Sequence, residues 1–580
     1  MTSPLSHPPG WWQQSTIRRF LKWLVSWRTA RRLLVGAACL VTAHALFCTE
    51  ENIRGKRAWE RYRREAEARG EQLDFAAFIP KPVPDEQNFA ATPLVRSWFR
   101  KENMPASDKL WNDSFSRAEA RMRMDRGRRF MDIAAWAMAL DDTNPRWRTE
   151  PGKLEGRHLG DVTAWGMAFE DTEPGKREGR RLTDVAAWGA PDNGTNPSWK
   201  IEPGKLDPES RAQAAPAVLE ALKTDEAIFA ELRAASQRPD SRYPVNYDVE
   251  NPFTILLPHL SSVRAVCRRL QLRACAELAD GRSAEALTDV KLMLRLVDSM
   301  KEETFLIDYL VRVACLQTAI EPVWEGLAEH RWSDAQLHEL QARLQRCDFV
   351  ADVQRPFEAE RAAGVMVVDL IRKRGLGYLN TLAGPGSPSP SDRSVANLPG
   401  LFVPSGWLYL EEYNLCRAYQ TLLDGTIDPS QRRVFPDRTE GNVRDFGREI
   451  RRDAFVSAFI HHRTMGALLL PALSRVVVKV ATAQTAVDQA ALACALERYR
   501  LANGQFPEKL EALVPRFISQ LPHDVITGAP YKYRRTADGQ FVLYSVGWNQ
   551  TDDGGVPGKT LFDEKEGDWV WQYPEPTIVR

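Results

Sequence analysis

The stretch "LLVGAACLVTAHALFC", residues 33–48, carries no formal charge apart from the titratable His44. Nothing else in the chain restricts its fold and location as strongly. In a helix rising 1.5 Å per residue, such a run covers about 24 Å, against a hydrocarbon core of roughly 30 Å. Snorkelling by Arg32 and local thinning of the bilayer absorb the deficit. Upstream, "TIRRFLKWLVSWRTARR" sets Ile17, Phe20, Leu21, Leu24 and Trp27 at helical spacing, interrupted by Arg18, Arg19, Lys22 and Arg28. That pattern suits an interfacial helix on anionic lipid. Residues 1–32 therefore read as a basic amphipathic segment, and 33–48 as a transmembrane or signal-anchor helix with the lipid bilayer as its partner. A buried core helix is the competing reading. The Arg-rich approach, the nearby Trp11, Trp12, Trp23 and Trp27, and the extreme N-terminal position weigh against it.

Ala43-His44-Ala45 has the small-x-small pattern of a signal-peptidase site, but an n-region of about thirty residues favours retention as a single span. Six basic residues lie between positions 18 and 32, and six more follow the run: Arg54, Lys56, Arg57, Arg61, Arg63 and Arg64. The Lys/Arg asymmetry that orients a span is thus slight. The expected location is the cell inner membrane, single-pass, with the body on the periplasmic side. Lys plus Arg number 78 against 77 Asp plus Glu, which leaves no whole-protein field to attract nucleic acid. No RNP, zinc-finger or helix-turn-helix signature accompanies it. None of the eight cysteines forms a CxxC pair, so a structural zinc has no support. Six of them fall in expected helices after residue 260, where a buried packing role fits.

Residues 49–129 read as a polar juxtamembrane helix ending at Gly70, then a Pro-rich connector, "IPKPVPDEQNFAATP". Residues 130–206 hold a degenerate repeat: "DIAAW", "DVTAW" and "DVAAW" alternate with "EPGK" at Glu150, Glu173 and Glu202. Trp136, Trp165 and Trp188 there serve either as a recognition surface or, better, as anchors docking small units onto the body. Residues 207–382 have helical periodicity almost throughout, with a turn at Asp280-Gly281 and a Ser333/Gln336 capping box. They form an irregular antiparallel array, comparable in kind with tetratricopeptide-like stacks but without their consensus. Residues 383–400 open with "AGPGSPSPSD" and read as a flexible loop. Helices resume over 401–479. Residues 480–580 combine a long helix with "PEKLEALVP" as a short one, then strands over 531–536 and 540–546 joined at Asp538-Gly539. The fold class is mainly α, with a small C-terminal α+β module containing a β-hairpin.

That module resembles the soluble domain of the major pseudopilin of type II secretion. The resemblance runs over about 65 residues, through Gly504, Phe506-Pro507, Leu510, Leu513, Leu521-Pro522, Asp524, Gly528, Pro530 and Tyr533, to Ser545 and Gly547. No prepilin leader precedes residue 33, so a filament subunit is not implied; the module reads as a packed terminal lobe. The whole chain is also similar to a group of membrane-anchored proteins of planctomycete and verrucomicrobial bacteria, through "ENIRGKRAWE", "PVPDEQNFAATP" and "GDWVWQYP". Pseudopilins can bind calcium in the loop after the last strand. Here the resemblance implies Asn549, Thr551, Asp552 and Asp553 as candidate ligands, with Asn549 where the family has Asp. A polar turn that merely leaves the sheet needs the same residue types.

No GxSxG elbow, HExxH pair, Walker A or Rossmann fingerprint occurs in the required context. His461 and His462 are adjacent, not i,i+4, and read with Arg451, Arg452 and Arg463 either as an anion-binding patch or, better, as a solvated helix face. Glu411-Glu412 and Asp141-Asp142 read as surface acid pairs. No catalytic residue is assigned. Two functional classes fit. One is a non-catalytic envelope scaffold that binds an envelope protein or peptide. The other is an exported hydrolase or other enzyme whose polar groups converge only in the fold, beside Asp85, Glu86, Gln87 and Asn88.

Overall fold

The computed structural model describes residues 27–100, 115, 118, 131, 133–140, 208–375, 378, 403–451, 462 and 464–573. They divide into two units, Met1–Arg69 with Val368–Asn414, and Gly70–Val367 with Leu415–Arg580. In the first unit the uncharged run and the charged stretch after it form one continuous helix, α1 (Trp27–Ala68). No proline interrupts it, and Gly70 stops it with a φ of +78°. Its apolar window is long enough to cross a membrane, and none of that window is buried among the described residues.

Beyond the window, one stripe of α1 is buried: Glu51, Gly55, Trp59, Tyr62 and Ala66. The steps of three and four residues place these side chains on a single face. That face receives the start of the helix Gly406–Leu423. A Cβ at Gly55 would stand 2.1 Å from the Gly406 carbonyl oxygen, so the two backbones touch only because both residues are glycine. Asn52 Oδ1 accepts from Gly406 N at 2.7 Å, and Glu51 accepts from Trp407 Nε1 at 3.1 Å. Glu411 and Glu412 are not surface acids; they are 8% and 1% exposed. Arg372 stands 4.0 Å from Glu412, yet burial still pushes that carboxyl up to about 8.

Beside a single turn at Phe349–Asp352, the remaining α-helices among the described residues are α2 (Pro93–Trp98), α3 (Ile133–Leu140), α4 (Pro208–Ala221), α5 (Glu226–Ala235), α6 (Pro258–Ala279), α7 (Ser283–Ser299), α8 (Leu306–Ala328), α9 (Asp334–Leu344), α10 (Gln354–Arg374), α11 (Gly406–Leu423), α12 (Pro436–Arg451) and α13 (Thr464–Asn503). In the second unit α6 packs against α7, α8 and α4, while α8, α9 and α12 pack against α13. Gly281, at φ +79°, turns the chain between α6 and α7. Ser333 caps α9, with its hydroxyl on Gln336 N and the Gln336 side chain returning to Ser333 N. Buried Val480, Ala483, Val487, Ala490 and Cys494 carry α13 into the same core as Leu316 and Val323 of α8. All eight cysteines are free, and the six after residue 260 are buried.

Two short strands, β1 (Ile427–Asp428) and β2 (Arg433–Val434), pair antiparallel. The C-terminal sheet has the order β3 (Lys532–Arg535), β4 (Phe541–Ser545), β5 (Trp569–Gln572), all antiparallel. Leu543 faces Tyr533 on one side and Trp571 on the other. The turn from β3 to β4 closes with Thr536 N donating to Gln540 O, and Gly539 takes φ +81°. β5 has no counterpart in the sequence reading, and "PEKLEALVP" forms only a 3-10 turn at Leu510–Leu513 instead of a helix. The sheet docks on α13 through Gln489 Nε2, which donates to Trp569 O at 2.7 Å, and through Tyr531 OH, 3.3 Å from Asp488.

Candidate functional site

Every residue of β4 is buried, so both faces of the strand need cover. Phe541 and Leu543 point into the main core, while Val542 and Tyr544 form a separate small cluster with Val570. The loop after β4 supplies the missing lid. At Gly555 a Cβ would meet Val542 Cγ1 at 2.8 Å, so the backbone lies directly on the strand. Asn549, Thr551, Asp552 and Asp553 belong to this loop. Asn549 Oδ1 accepts from Thr551 N at 3.0 Å, a local turn closure. Asp552 accepts from Tyr544 OH and Gly554 N, both at 3.1 Å, and lies 3.4 Å from Lys532 Nζ. These bonds hold Asp552 below the ordinary Asp value, the Gly554 amide foremost.

The sequence reading missed the residue that closes this loop. Asp568 is fully buried, and its two carboxylate oxygens accept from Asp553 N at 3.3 Å and Gly555 N at 2.6 Å. Its signal was an acid directly before the aromatic "WVW". Asp568→Ala is expected to cost about 2 kcal/mol by stranding two amides. Asp552→Ala, at an exposed position, should cost about 0.5 kcal/mol. Denaturant titration of the full chain in detergent distinguishes them, and equal losses would rule out Asp568 as the clamp. Among the described residues no group of three or more His, Cys, Asp or Glu side chains is placed to hold a metal ion.

A second concentration of chemistry lies in the helical body, where single-residue reading gave no warning. His259 at the start of α6 is fully buried between the rings of Tyr243, 4.4 Å away, and Phe99, 5.5 Å away. Desolvation pushes this imidazole down to about 3, so it is neutral at physiological pH. Its Nε2 stands 3.8 Å from Asp308 Oδ1, outside hydrogen-bond range. Asp308 caps its own helix by accepting from Phe305 N at 2.8 Å; burial and the neighbouring Glu303 raise it well above an ordinary Asp. Glu303 accepts from Tyr243 N at 3.4 Å and Tyr247 OH at 3.3 Å, and burial brings it to about 7. Burial likewise brings Glu360 of α10 to about 8.

Acids tuned to neutrality are what proton-transfer chemistry uses, and they also arise wherever a core encloses carboxyls. Access decides between these uses. None of these four groups lines the recess along α1 or the one beside Cys315. The cluster is a buried polar core.

The connector acids do not join it. Asp85 pairs with Arg96 at 2.5 Å. Asn88 spends its side chain latching the connector, accepting from Ala90 N and Arg242 N and donating to Arg242 O. His523 contacts the carbonyl oxygens of Gln431 and Arg432, at 2.9 and 3.3 Å. Trp136 stacks on Phe115 at 5.2 Å; Trp165, Trp188, Asp141-Asp142, His461, Arg452 and Arg463 lie outside the described residues. No family model matches the chain, and no curated protein or solved structure matches it.

Proposed function

We propose that the chain is a non-catalytic envelope protein, anchored in the inner membrane by α1, whose helical body is a periplasmic interaction scaffold for a protein or peptide. The observation that carries this reading is the apolar window of α1, uncovered among the described residues, whereas helices such as α6, α7 and α8 bury their apolar faces. In water such a surface would cost about 25 cal/mol for each Å² left exposed, and a bilayer removes that cost. The buried acids of the body support a structural role, since they cap helices and latch segments. The long α13, the turn at Leu510–Leu513 and the antiparallel strands after it support reading residues 480–580 as a pseudopilin-like lobe used for packing.

Membrane fractionation tests the proposal. The full-length chain is expected to remain in the membrane pellet through high-salt and alkaline washes and to leave it only in detergent. A C-terminal alkaline phosphatase fusion should be active and a C-terminal fluorescent-protein fusion dark. Recovery of the intact chain in the soluble fraction would overturn the anchor, and the opposite fusion pattern would overturn the orientation.

A further inference from the structure

We propose that the membrane-proximal half of α1 holds the phosphate of an anionic phospholipid between Arg54, Arg57 and Arg61. This rests on the reading of α1 as the anchor and names the lipid it selects. The buried stripe through Glu51, Gly55, Trp59 and Tyr62 defines the packed face of the helix. On the other side Leu46, Thr49, Glu50, Ile53, Ala58 and the three arginines line one shallow recess. Spaced by three and four residues, the guanidiniums stand one above another and repel. Arg54 has an acid, Glu51 at 2.6 Å. Of the acids further along, Glu60 pairs with Lys56 at 3.9 Å and Glu67 with Arg63 at 3.6 Å, while Glu65 lies outside the recess and makes no ion pair with Arg57 or Arg61. Arg57 and Arg61 have no ion pair among the described residues, and Glu50 is the one carboxylate in the recess. The ladder therefore retains positive charge that an anion neutralises.

Depth brings the anion from the bilayer. The uncharged run ends at Cys48, and the Cα atoms of Arg54 and Arg57 follow about 9 and 14 Å further along the axis. Because the run is about 6 Å shorter than the hydrocarbon core, the boundary lies a few Å past Cys48. Helical side chains lean toward the helix N-terminus. Every arginine after the span therefore leans back toward the bilayer, whereas Arg31 and Arg32 before it lean away. Arg54 and Arg57 reach the phosphate layer in this way, with Arg61 at its outer edge. Exposed Leu46 and Ile53, at 67% and 47%, border the same recess and offer apolar contact to the glycerol and upper acyl chain. A planar guanidinium takes two phosphate oxygens at once. Unneutralised charge favours a headgroup with a net negative charge over a zwitterionic one, by about fivefold for each arginine.

The test is native mass spectrometry of the detergent-solubilised full-length chain with phosphatidylglycerol and phosphatidylcholine of equal chain length. The wild type is expected to retain phosphatidylglycerol preferentially. Arg57→Gln with Arg61→Gln should cut that preference by more than tenfold, and Arg57→Lys with Arg61→Lys should restore most of it. Equal retention of both lipids by the wild type, or an unchanged preference in the glutamine variant, would overturn the site. Displacement of the lipid by millimolar inorganic phosphate would make it a general anion site and would also overturn it. The glutamine variant should still pellet with membranes, because the apolar run does the anchoring. A wild-type chain that pellets without lipid preference loses only this site, whereas a soluble wild-type chain loses the anchor as well.

Discussion

Replacing Glu360 by glutamine is expected to stabilise the protein above pH 8 and to leave it unchanged near pH 4.5. Glu360 is 6% exposed on α10, where it faces Asp308 and Tyr419 and accepts from the Leu306 backbone N–H. Burial raises its carboxyl from 4.5 to about 8. The native state therefore holds a proton that the unfolded chain releases near 4.5. The resulting stability is fully present below 4.5 and is lost as pH rises through about 8. A shift of that size corresponds to at most about 4–5 kcal/mol, reached only above pH 8. Glutamine keeps the shape and has nothing to ionise, so the variant escapes the loss. Glu303 and Glu325, both brought to about 7 by burial, add slopes of the same sign that the variant retains. Urea titrations in detergent from pH 5 to 9 should show a visibly flatter pH dependence than wild type. Coincident curves would mean that Glu360 is hydrated in the folded protein.

Which parts of this architecture were legible in sequence follows from how local their causes are. The uncharged run before residue 49 announces itself because lipid compatibility depends on composition within one segment. The Ser333/Gln336 cap of α9 and the glycine turns at 281 and 539 are equally local, each fixed by a few neighbouring residues. The continuity of α1 was less visible, since a change from apolar to charged residues looks like a boundary although both halves favour helix. Non-local features left no mark. His259, Glu303, Asp308 and Glu360 are separated by up to 101 positions, and only the convergence of α6, α8 and α10 makes them neighbours. Glu411 and Glu412 looked superficial because adjacent acids usually are. Their burial depends on Arg372 and on the close approach of α11 to α1, allowed by Gly55 and Gly406. Strand β5 and the Asp568 clamp were hidden because a long loop separates them from β4, and hairpin signals act only across short turns.

The largest single loss of stability is expected from Glu325→Ala. Arg211 of α4 is enclosed, with a side chain 2% exposed, and it pairs with Glu325 of α8 and with Glu329, the residue that caps the end of that helix. Glu325, 1% exposed, also accepts from Met131 N at 2.5 Å, so one carboxylate ties α4 and the segment before α3 to α8. Burial pushes Glu325 up to about 7 against the pull of Arg211, so at pH 8.5 the pair is fully charged. Truncation to alanine then leaves a guanidinium in the core facing only the more exposed Glu329, along with an amide that has lost its acceptor. Breaking an enclosed pair in this way costs about 3–5 kcal/mol, far more than the pair itself contributes. The distinction can be measured. Arg211→Met combined with Glu325→Leu removes both charges at similar volume and should recover most of the loss, with Met131 N still stranded at a cost of about 1–3 kcal/mol. Glu329→Ala, at a position 14% exposed, should cost about 1 kcal/mol. A double variant no more stable than Glu325→Ala alone would mean that the cost comes from lost packing, and the charge account of this seam would fail.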